Sequence, residues 1–259
     1  LNKTFYFLED GRCFIVREET STGYMHLYLY GIGQGVLHPI TQGEWEVTDF
    51  VGLRGDKVYY ISTESSPLKR DLYRVGLDGK HKERLTPGDG YYSIYPSADL
   101  SYYICEGGDS SAPGRTDVFN AAGKRVRTLY DNAPLKEALV EAGLPVREFF
   151  TFTTERGDEL NGYMLKPLDF DPAKRYPVLL TQYSGPGSQQ VAEGWGPDWE
   201  DALVTHGYIV VCVDPRGTGY RGEEFKKLTY GNLGRLEVED QISTARYMAR
   251  QSYVDPARI

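Results

Sequence analysis

Tyr176-Pro177-Val178-Leu179-Leu180-Thr181-Gln182-Tyr183 is the stretch that decides the fold of the second half of the chain. Its centre is a nearly continuous apolar run, as expected for a strand buried on both faces of a sheet. A second such run, Tyr208-Ile209-Val210-Val211-Cys212-Val213, follows a predicted helix that begins at Asp198 and ends at Gly207. Strands that alternate with helices predict a parallel α/β sheet.

Further elements flank these two strands. Residues 149–153 and 161–165 are typical of a strand pair around a turn at 155–158. The helix after Asp198 is expected to present one face made of Trp199, Ala202, Leu203 and His206. A second helix is expected to do the same with apolar residues at helical spacing: Val238, Ile242, Ala245 and Met248. Trp195 and Trp199 are expected to pack in the core or in a lid.

The loops that follow the two buried strands are the places to look for chemistry. In an open α/β sheet a ligand binds beyond the carboxyl ends of the strands. The first loop reads Tyr183-Ser184-Gly185-Pro186-Gly187-Ser188-Gln189, an aromatic hydroxyl followed by a glycine-rich bend that lets backbone approach a ligand. Donors so placed can form an oxyanion hole. The Tyr183 loop, shaped by Gly185, Pro186 and Gly187, is therefore a candidate oxyanion hole.

The second loop, residues 214–222, imitates a dinucleotide-binding fingerprint. Its glycines have the G-x-G-x-x-G spacing: Gly217, Gly219 and Gly222. Glu237 and Glu239 stand roughly 20 residues on, where such a motif places its acidic residue. A true fingerprint begins as the first strand ends, whereas here residues 214–216 intervene and the strand is a late one. We therefore expect no dinucleotide cofactor.

Charged residues near the second loop have simpler interpretations. Asp214 and Arg216 are expected to form an ion pair that braces the loop. Glu237, Glu239 and Asp240 are expected to form the solvated start of a helix, where negative charge suits the macrodipole.

Residues 1–132 have a different rhythm, with short strands in series. The strand Cys13-Phe14-Ile15-Val16 recurs as Val58-Tyr59-Tyr60-Ile61 and as Tyr102-Tyr103-Ile104-Cys105. A second set of pairs recurs after these strands: Leu27-Tyr28, Leu72-Tyr73 and Val118-Phe119. The offsets of about 45 residues match the length of one four-stranded propeller blade. About three blades are predicted, an open arc that leaves its edge strands in need of neighbours.

Composition limits the classes of function. The net charge is −8, with 40% hydrophobic and 25% charged residues, which indicates a globular protein with no nucleic-acid partner. The three cysteines lie apart in apolar runs and are expected to be buried thiols, so neither a disulfide nor a metal site is predicted. No apolar run approaches the roughly 20 residues that a membrane-spanning helix requires.

Several motifs in order give the chain a resemblance. The loop from Tyr183 to Gln189, the strand 207–211 and the loop 214–222 resemble the prolyl oligopeptidase family of serine peptidases. Further segments resemble its dipeptidyl peptidase IV branch: Gly43-Glu44-Trp45-Glu46-Val47, Leu233-Gly234, Glu237-Val238-Glu239-Asp240-Gln241-Ile242 and Tyr253-Val254-Asp255. Together these motifs extend over essentially the whole chain.

The resemblance implies an activity and an architecture. It implies an eight-bladed propeller capping an α/β-hydrolase domain, which removes N-terminal dipeptides with proline or alanine second. Tyr183 would donate its hydroxyl to the oxyanion of the tetrahedral intermediate, and no organic cofactor is required. The implied partners are peptide substrates and, for the parent protein, a second copy. A periplasmic or extracytoplasmic parent is also implied, although the residues themselves indicate no compartment.

The expected domains follow from this resemblance. Residues 1–132 are assigned to the C-terminal blades of the propeller. Residues 133–147, with a helical pattern from Pro134 to Ala142, form a linker. Residues 148–259 are assigned to the N-terminal part of the α/β-hydrolase domain.

The catalytic triad is not found in the sequence. On this fold it follows the order Ser, Asp, His, with the serine in a G-x-S-x-G turn, and residues 1–259 contain no such pentapeptide. The histidines all precede the position of the triad base: His26, His38, His81 and His206. Each is expected to be structural. The paired glutamates that grip a substrate amino terminus in this branch are expected before Leu1. The chain is therefore expected to be a fragment lacking both ends and inactive alone.

Two other functions remain open at the level of sequence. A partial propeller could serve alone as a peptide-docking module. A sister peptidase of the same clan, an acylaminoacyl peptidase or an oligopeptidase, is the other alternative. The loop 183–189 and the segment 237–242 favour the dipeptidyl peptidase branch.

Overall fold

The computed structural model describes residues 4–19 and 22–259. Residues 1–3, before which the paired glutamates are expected, lie outside the described residues. Two compact units are present. The first contains residues 1–109, 114–131 and 220–224, and the second contains residues 110–113, 132–219 and 225–259.

The described part of the first unit contains three four-stranded antiparallel sheets. The first comprises β1 (Thr4–Phe7), β2 (Cys13–Glu19), β3 (Met25–Gly31) and β4 (Gly35–Pro39). The second comprises β5 (Val47–Arg54), β6 (Lys57–Ser62), β7 (Asp71–Gly76) and β8 (Glu83–Arg84). The third comprises β9 (Tyr91–Pro96), β10 (Tyr102–Gly108), β11 (Arg115–Asn120) and β12 (Arg125–Tyr130). In each sheet the strands pair in chain order.

The sequence repeat coincides with the repeat of the sheets. The three copies of the first recurring strand lie in β2, β6 and β10, the second strand of each sheet. The recurring pairs lie in the third strands and supply buried residues such as Leu27, Leu72 and Phe119. Because residues on one face of each strand are buried between sheets, the repeat in sequence reflects a repeat in packing.

His26 has the structural role expected of it. The ring is fully buried, with Nδ1 3.0 Å from Thr41 Oγ1 and Nε2 2.9 Å from the Gly43 carbonyl oxygen. Burial lowers the pKa of His26, since the charged imidazolium loses its hydration. The His26 ring therefore joins the end of the first sheet to the segment that leads into the second.

The second unit contains one mixed sheet and four helical segments. Its elements are α1 (Ala133–Ala142), β13 (Glu148–Thr153), β14 (Glu159–Leu165), β15 (Val178–Thr181), α2 (Trp199–Val204), β16 (Ile209–Asp214), the end of α3 (Gly222–Lys227), whose first three residues belong to the first unit, and α4 (Arg235–Ala249). The strand order is β13-β14-β16-β15. Only β15 and β16 are parallel, so the expected parallel sheet is confirmed for that pair, while β13, β14 and β16 pair antiparallel.

The helix faces predicted from apolar spacing are wrong in part. Trp199 is 57% exposed, whereas Glu200 and Val204 are the buried residues of α2. In α4, Met248 is buried as expected, but Val238 and Ile242 are 57% and 46% exposed. The buried face of α4 is instead largely polar, and it includes Leu236, Glu237, Asp240, Ser243 and Thr244. Periodicity failed because these polar side chains are buried with hydrogen-bond partners.

The three cysteines are free thiols. Cys105 and Cys212 are buried, and Cys13 is partly buried. Burial raises the pKa of Cys105 and of Cys212 to about 12. The prediction of buried thiols is thus confirmed for two of the three.

The neighbouring tyrosines of β6 provide a test of core packing. Tyr60 is fully buried and stacks on Tyr73 at a ring-centroid distance of 5.7 Å, but its hydroxyl has no hydrogen-bond partner among the described residues. Tyr60→Phe should raise the free energy of unfolding by about 1 kcal/mol, because an unpaired buried hydroxyl is removed. The matched variant is Tyr59→Phe, whose hydroxyl donates to the Ala121 carbonyl at 2.9 Å. It should lower that energy by about 1 kcal/mol in urea denaturation. Equal effects of the two variants would contradict this assignment.

Candidate active site

Tyr183 lies two residues beyond the end of β15, where the strand enters its glycine-rich loop. Its side chain is 69% exposed. The ring lies over Gly185, where an added Cβ would be 2.6 Å from Tyr183 Cε1. Ser184 between them has a φ of 58°, a left-handed conformation that is costly for a residue other than glycine. The position of the tyrosine ring therefore depends on a glycine at 185 and on a strained serine at 184.

The rest of this loop is held by its own backbone and by the loop after β16. The N–H and the Oγ of Ser188 both donate to the Gly185 carbonyl, at 3.0 and 2.6 Å, and so close a turn around Pro186. The Gly187 N–H donates to the Gly217 carbonyl at 2.8 Å. The Gly219 N–H donates to the Ser188 carbonyl at 2.9 Å. The two loops are thus joined by backbone hydrogen bonds.

The predicted ion pair between Asp214 and Arg216 is wrong, because each residue has other partners. Asp214 accepts hydrogen bonds from the backbone N–H groups of Gln190 and Val191, at 3.0 and 2.9 Å. Burial raises the pKa of Asp214, and these two hydrogen bonds act in the opposite direction. The two-residue separation of Asp214 and Arg216 in sequence could not reveal that the hydrogen-bond donors to Asp214 come from the distant backbone of Gln190 and Val191.

Arg216 pairs with α4. Its backbone N–H donates to Asp240 Oδ2 at 2.7 Å, and its Nη2 lies 2.7 Å from Asp240 Oδ1. Nη1 lies 3.1 Å from Asp158 Oδ2, and Nη2 lies 3.4 Å from Glu239 Oε2. The hydrogen bonds to Asp240 raise the pKa of Arg216 further above its usual value. A charged side chain that is 6% exposed is thereby paired with carboxylates.

The expectation of a solvated acidic start to α4 is correct only for Glu239. Asp240 is fully buried and Glu237 is 8% exposed. Glu237 Oε2 accepts the Gly234 N–H at 2.9 Å and so caps the helix, while Asp240 binds Arg216. The macrodipole favours acidic residues at a helix start whether they are exposed or buried. The sequence pattern therefore could not separate a solvated carboxylate from one that caps the helix or pairs with Arg216.

A groove lies between the start of the Tyr183 loop and α4. Its volume is about 510 Å³. Gln182, Tyr183 and Ser184 line one side. The exposed apolar stripe of Val238 and Ile242 lines the other. A phenolic hydroxyl at the rim of a partly apolar groove can donate a hydrogen bond to an oxygen atom bound there.

Glu200 is a buried residue that sequence reasoning did not single out. It accepts hydrogen bonds from the Tyr163 hydroxyl at 2.7 Å and from Thr181 Oγ1 at 2.8 Å. These bonds fix α2 to β14 and to the last residue of β15. In the sequence, Glu200 stands two residues after the N-cap Asp198, a position that is typical of an exposed acidic residue at a helix start and does not predict burial.

The described residues show neither a metal-binding cluster nor a membrane-spanning helix. No group of three or more His, Cys, Asp or Glu residues there could hold a metal ion. None of the described helices has the length and apolarity needed to cross a membrane.

Comparison with known sequences and structures gives consistent matches. The family model described as "Dipeptidyl peptidase IV (DPP IV) N-terminal region" matches residues 1–113, and the one described as "Prolyl oligopeptidase family" matches residues 195–259. A probable dipeptidyl peptidase 4 of Emericella nidulans is 37% identical over 92% of this chain and 32% of its own length. A probable dipeptidyl-aminopeptidase B of Aspergillus niger is 38% identical over 92% of this chain and 27% of its own.

A solved structure agrees with the sequence matches. The crystal structure of Porphyromonas gingivalis dipeptidyl peptidase 4 superposes with a TM-score of 0.92 at 40% identity. It covers 98% of this chain, which spans 36% of that protein. The chain belongs to the prolyl oligopeptidase family of serine peptidases. Within that family it belongs to the dipeptidyl peptidase IV branch.

The charge cluster around Arg216 leads to a stability prediction. Asp240→Ala should lower the free energy of unfolding by about 3 kcal/mol, because it removes the main partner of a buried guanidinium. Glu239→Ala removes a more exposed carboxylate at a longer distance and should cost less than about 1 kcal/mol. Urea denaturation of both variants measures the difference. Costs of similar size would show that Asp240 is not the principal partner.

Proposed function

We propose that this chain is the part of a serine dipeptidyl peptidase that supplies Tyr183 as an oxyanion donor. The proposed parent enzyme releases N-terminal dipeptides with proline or alanine second, through an acyl-enzyme. The observation that carries the proposal is the exposed Tyr183 ring at the carboxyl end of β15, on the rim of the groove beside α4. The names of the relatives, dipeptidyl peptidase 4 and dipeptidyl-aminopeptidase B, support the reaction class.

The chemistry assigned to Tyr183 is electrostatic. Attack of a serine on the scissile carbonyl places negative charge on its oxygen, and a donor positioned before the reaction stabilises that charge. Such a donor is worth about 3 kcal/mol in kcat. The loop residues Gly185, Pro186 and Gly187 set the position of the hydroxyl and perform no chemistry. The nucleophile, acid and base are assigned to residues outside these 259, and the reaction requires no cofactor.

The proposed domain organisation follows the sheets. Residues 1–132 are assigned to three blades of a propeller, each one four-stranded antiparallel sheet. Residues 133–147, with α1, are assigned to the linker, and residues 148–259 to the N-terminal part of an α/β-hydrolase domain. The likeness to the Porphyromonas gingivalis structure supports this division.

The role of Tyr183 is tested by removing its hydroxyl. Tyr183→Phe should be made in a polypeptide that contains both this sequence and the nucleophile. With a Gly-Pro arylamide as substrate, kcat should fall about 10²- to 10³-fold with little change in KM, because the donor acts on the transition state. The control is Tyr208→Phe, a tyrosine that is 40% exposed in the same unit and should leave kcat unchanged. An unchanged kcat in Tyr183→Phe would refute the assigned role.

The 259-residue chain alone is expected to lack the nucleophile. A fluorophosphonate probe, which labels activated serines, should leave it unlabelled at neutral pH, because no serine lies in a G-x-S-x-G turn. Intact-mass spectrometry measures the outcome, with the nucleophile-containing polypeptide as the positive control. Labelling of any serine of the isolated chain would contradict this prediction.

A further inference from the structure

Asp214 is the last residue of β16 and is 7% exposed. Both of its carboxylate oxygens face the backbone of the segment that follows the Tyr183 loop. Oδ1 and Oδ2 lie 3.0 and 3.1 Å from the Gln190 nitrogen, and Oδ2 lies 2.9 Å from the Val191 nitrogen. A buried carboxylate that accepts backbone N–H groups forms charge-assisted hydrogen bonds, which are stronger than neutral ones.

The same two segments meet at two more points. The Gly187 and Gly219 N–H groups donate across the gap between the loops, as described above. The approach at Gly219 is close, since a Cβ there would lie 2.6 Å from the Gly187 carbonyl oxygen. The Tyr183 loop is therefore attached to residues 214–219 through its backbone at three places, and Asp214 supplies the one side chain among them.

Residues 214–219 form the rigid segment to which the Tyr183 loop is bonded. Asp214 ends a strand in which every residue is buried, and Arg216 is held by Asp240. The Tyr183 loop contains the strained backbone, since Ser184 is held at a φ of 58°. A strained backbone persists only where its surroundings determine its conformation.

We propose that Asp214 is a positioning residue for Tyr183. By holding the Gln190 and Val191 N–H groups it fixes the far end of the loop, so that the tyrosine hydroxyl stays where charge develops on the substrate. The inference rests on the proposed function of Tyr183. Asparagine cannot replace Asp214, because its amide offers one acceptor oxygen and turns an NH2 group toward backbone donors.

The test is a double-mutant cycle in the nucleophile-containing polypeptide. Asp214→Asn should lower kcat about 10²-fold with KM changed less than twofold, since misplacement of a catalytic group by about 1 Å costs that much. The double variant Asp214→Asn with Tyr183→Phe should be no slower than Tyr183→Phe alone, because Asp214 acts through the tyrosine hydroxyl. Multiplicative losses in the double variant would overturn the inference while leaving the role of Tyr183 intact. If Tyr183→Phe leaves kcat unchanged, both the proposed function and the inference are overturned.

A matched control separates positioning from a general loss of carboxylate capping. Asp171 accepts the Ala173 N–H at 2.9 Å, away from the Tyr183 loop. Asp171→Asn should leave kcat and KM unchanged. Hydrogen exchange of the Gln190 and Val191 amides should accelerate at least tenfold in Asp214→Asn but not in Asp171→Asn. Unchanged exchange at these two amides would refute the inference.

A second variant displaces the same loop without altering Asp214. The φ of Gly219 is not in the left-handed region, so alanine fits its backbone, but the new Cβ would press on the Gly187 carbonyl. Gly219→Ala should therefore reproduce the kcat loss and its non-additivity with Tyr183→Phe. It tests the inference even if Asp214→Asn does not fold. Full activity of a folded Gly219→Ala would count against loop placement as the cause.

Discussion

The buried ion pair between Arg216 and Asp240 is the interaction on which the candidate site depends. Removing two charges from water is costly, and the cost is offset here by direct hydrogen bonds and by the additional carboxylates of Asp158 and Glu239. The pair fixes the segment after β16 to α4. The Tyr183 loop is in turn attached to that segment. A polar core on one face of α4 thus sets the position of a residue on the surface.

Some glycines in this region are required because they leave room for a neighbouring group, and not because of their backbone conformation. Gly185 allows the Tyr183 ring to lie over the backbone, and Gly219 allows two loops to approach within hydrogen-bonding distance. This accounts for Gly219 in the loop 214–222 that imitates a dinucleotide fingerprint, and Gly217 and Gly222 have φ values of 93° and 87°, which favour glycine. In this structure Gly217 and Gly219 bond to the neighbouring loop.

The sequence was informative where chemistry and pattern agree. The repeat in the first half predicted the three sheets, because each copy buries the same strand positions. The Tyr183 loop was singled out as the candidate site because it follows an apolar strand, and that assignment stays a prediction. Prediction failed where polar residues are buried. Glu200 and Asp240 have partners that are remote in sequence, and Glu237 caps its helix through the Gly234 N–H. Apolar periodicity cannot detect such contacts. Asp214 and Arg216 are close in the chain, yet each is satisfied elsewhere.

The free cysteines have a practical consequence. A thiolate, not a thiol, reacts with maleimides and oxidants. With pKa values raised to about 12, Cys105 and Cys212 remain protonated at neutral pH, and burial also raises the pKa of the Cys13 thiol. A single cysteine introduced on the exposed surface would therefore take up a fluorophore or spin label with little competition from Cys105 and Cys212. Cys105 and Cys212 therefore need no replacement for spectroscopy of this chain, whereas the partly buried Cys13 is the native thiol to replace.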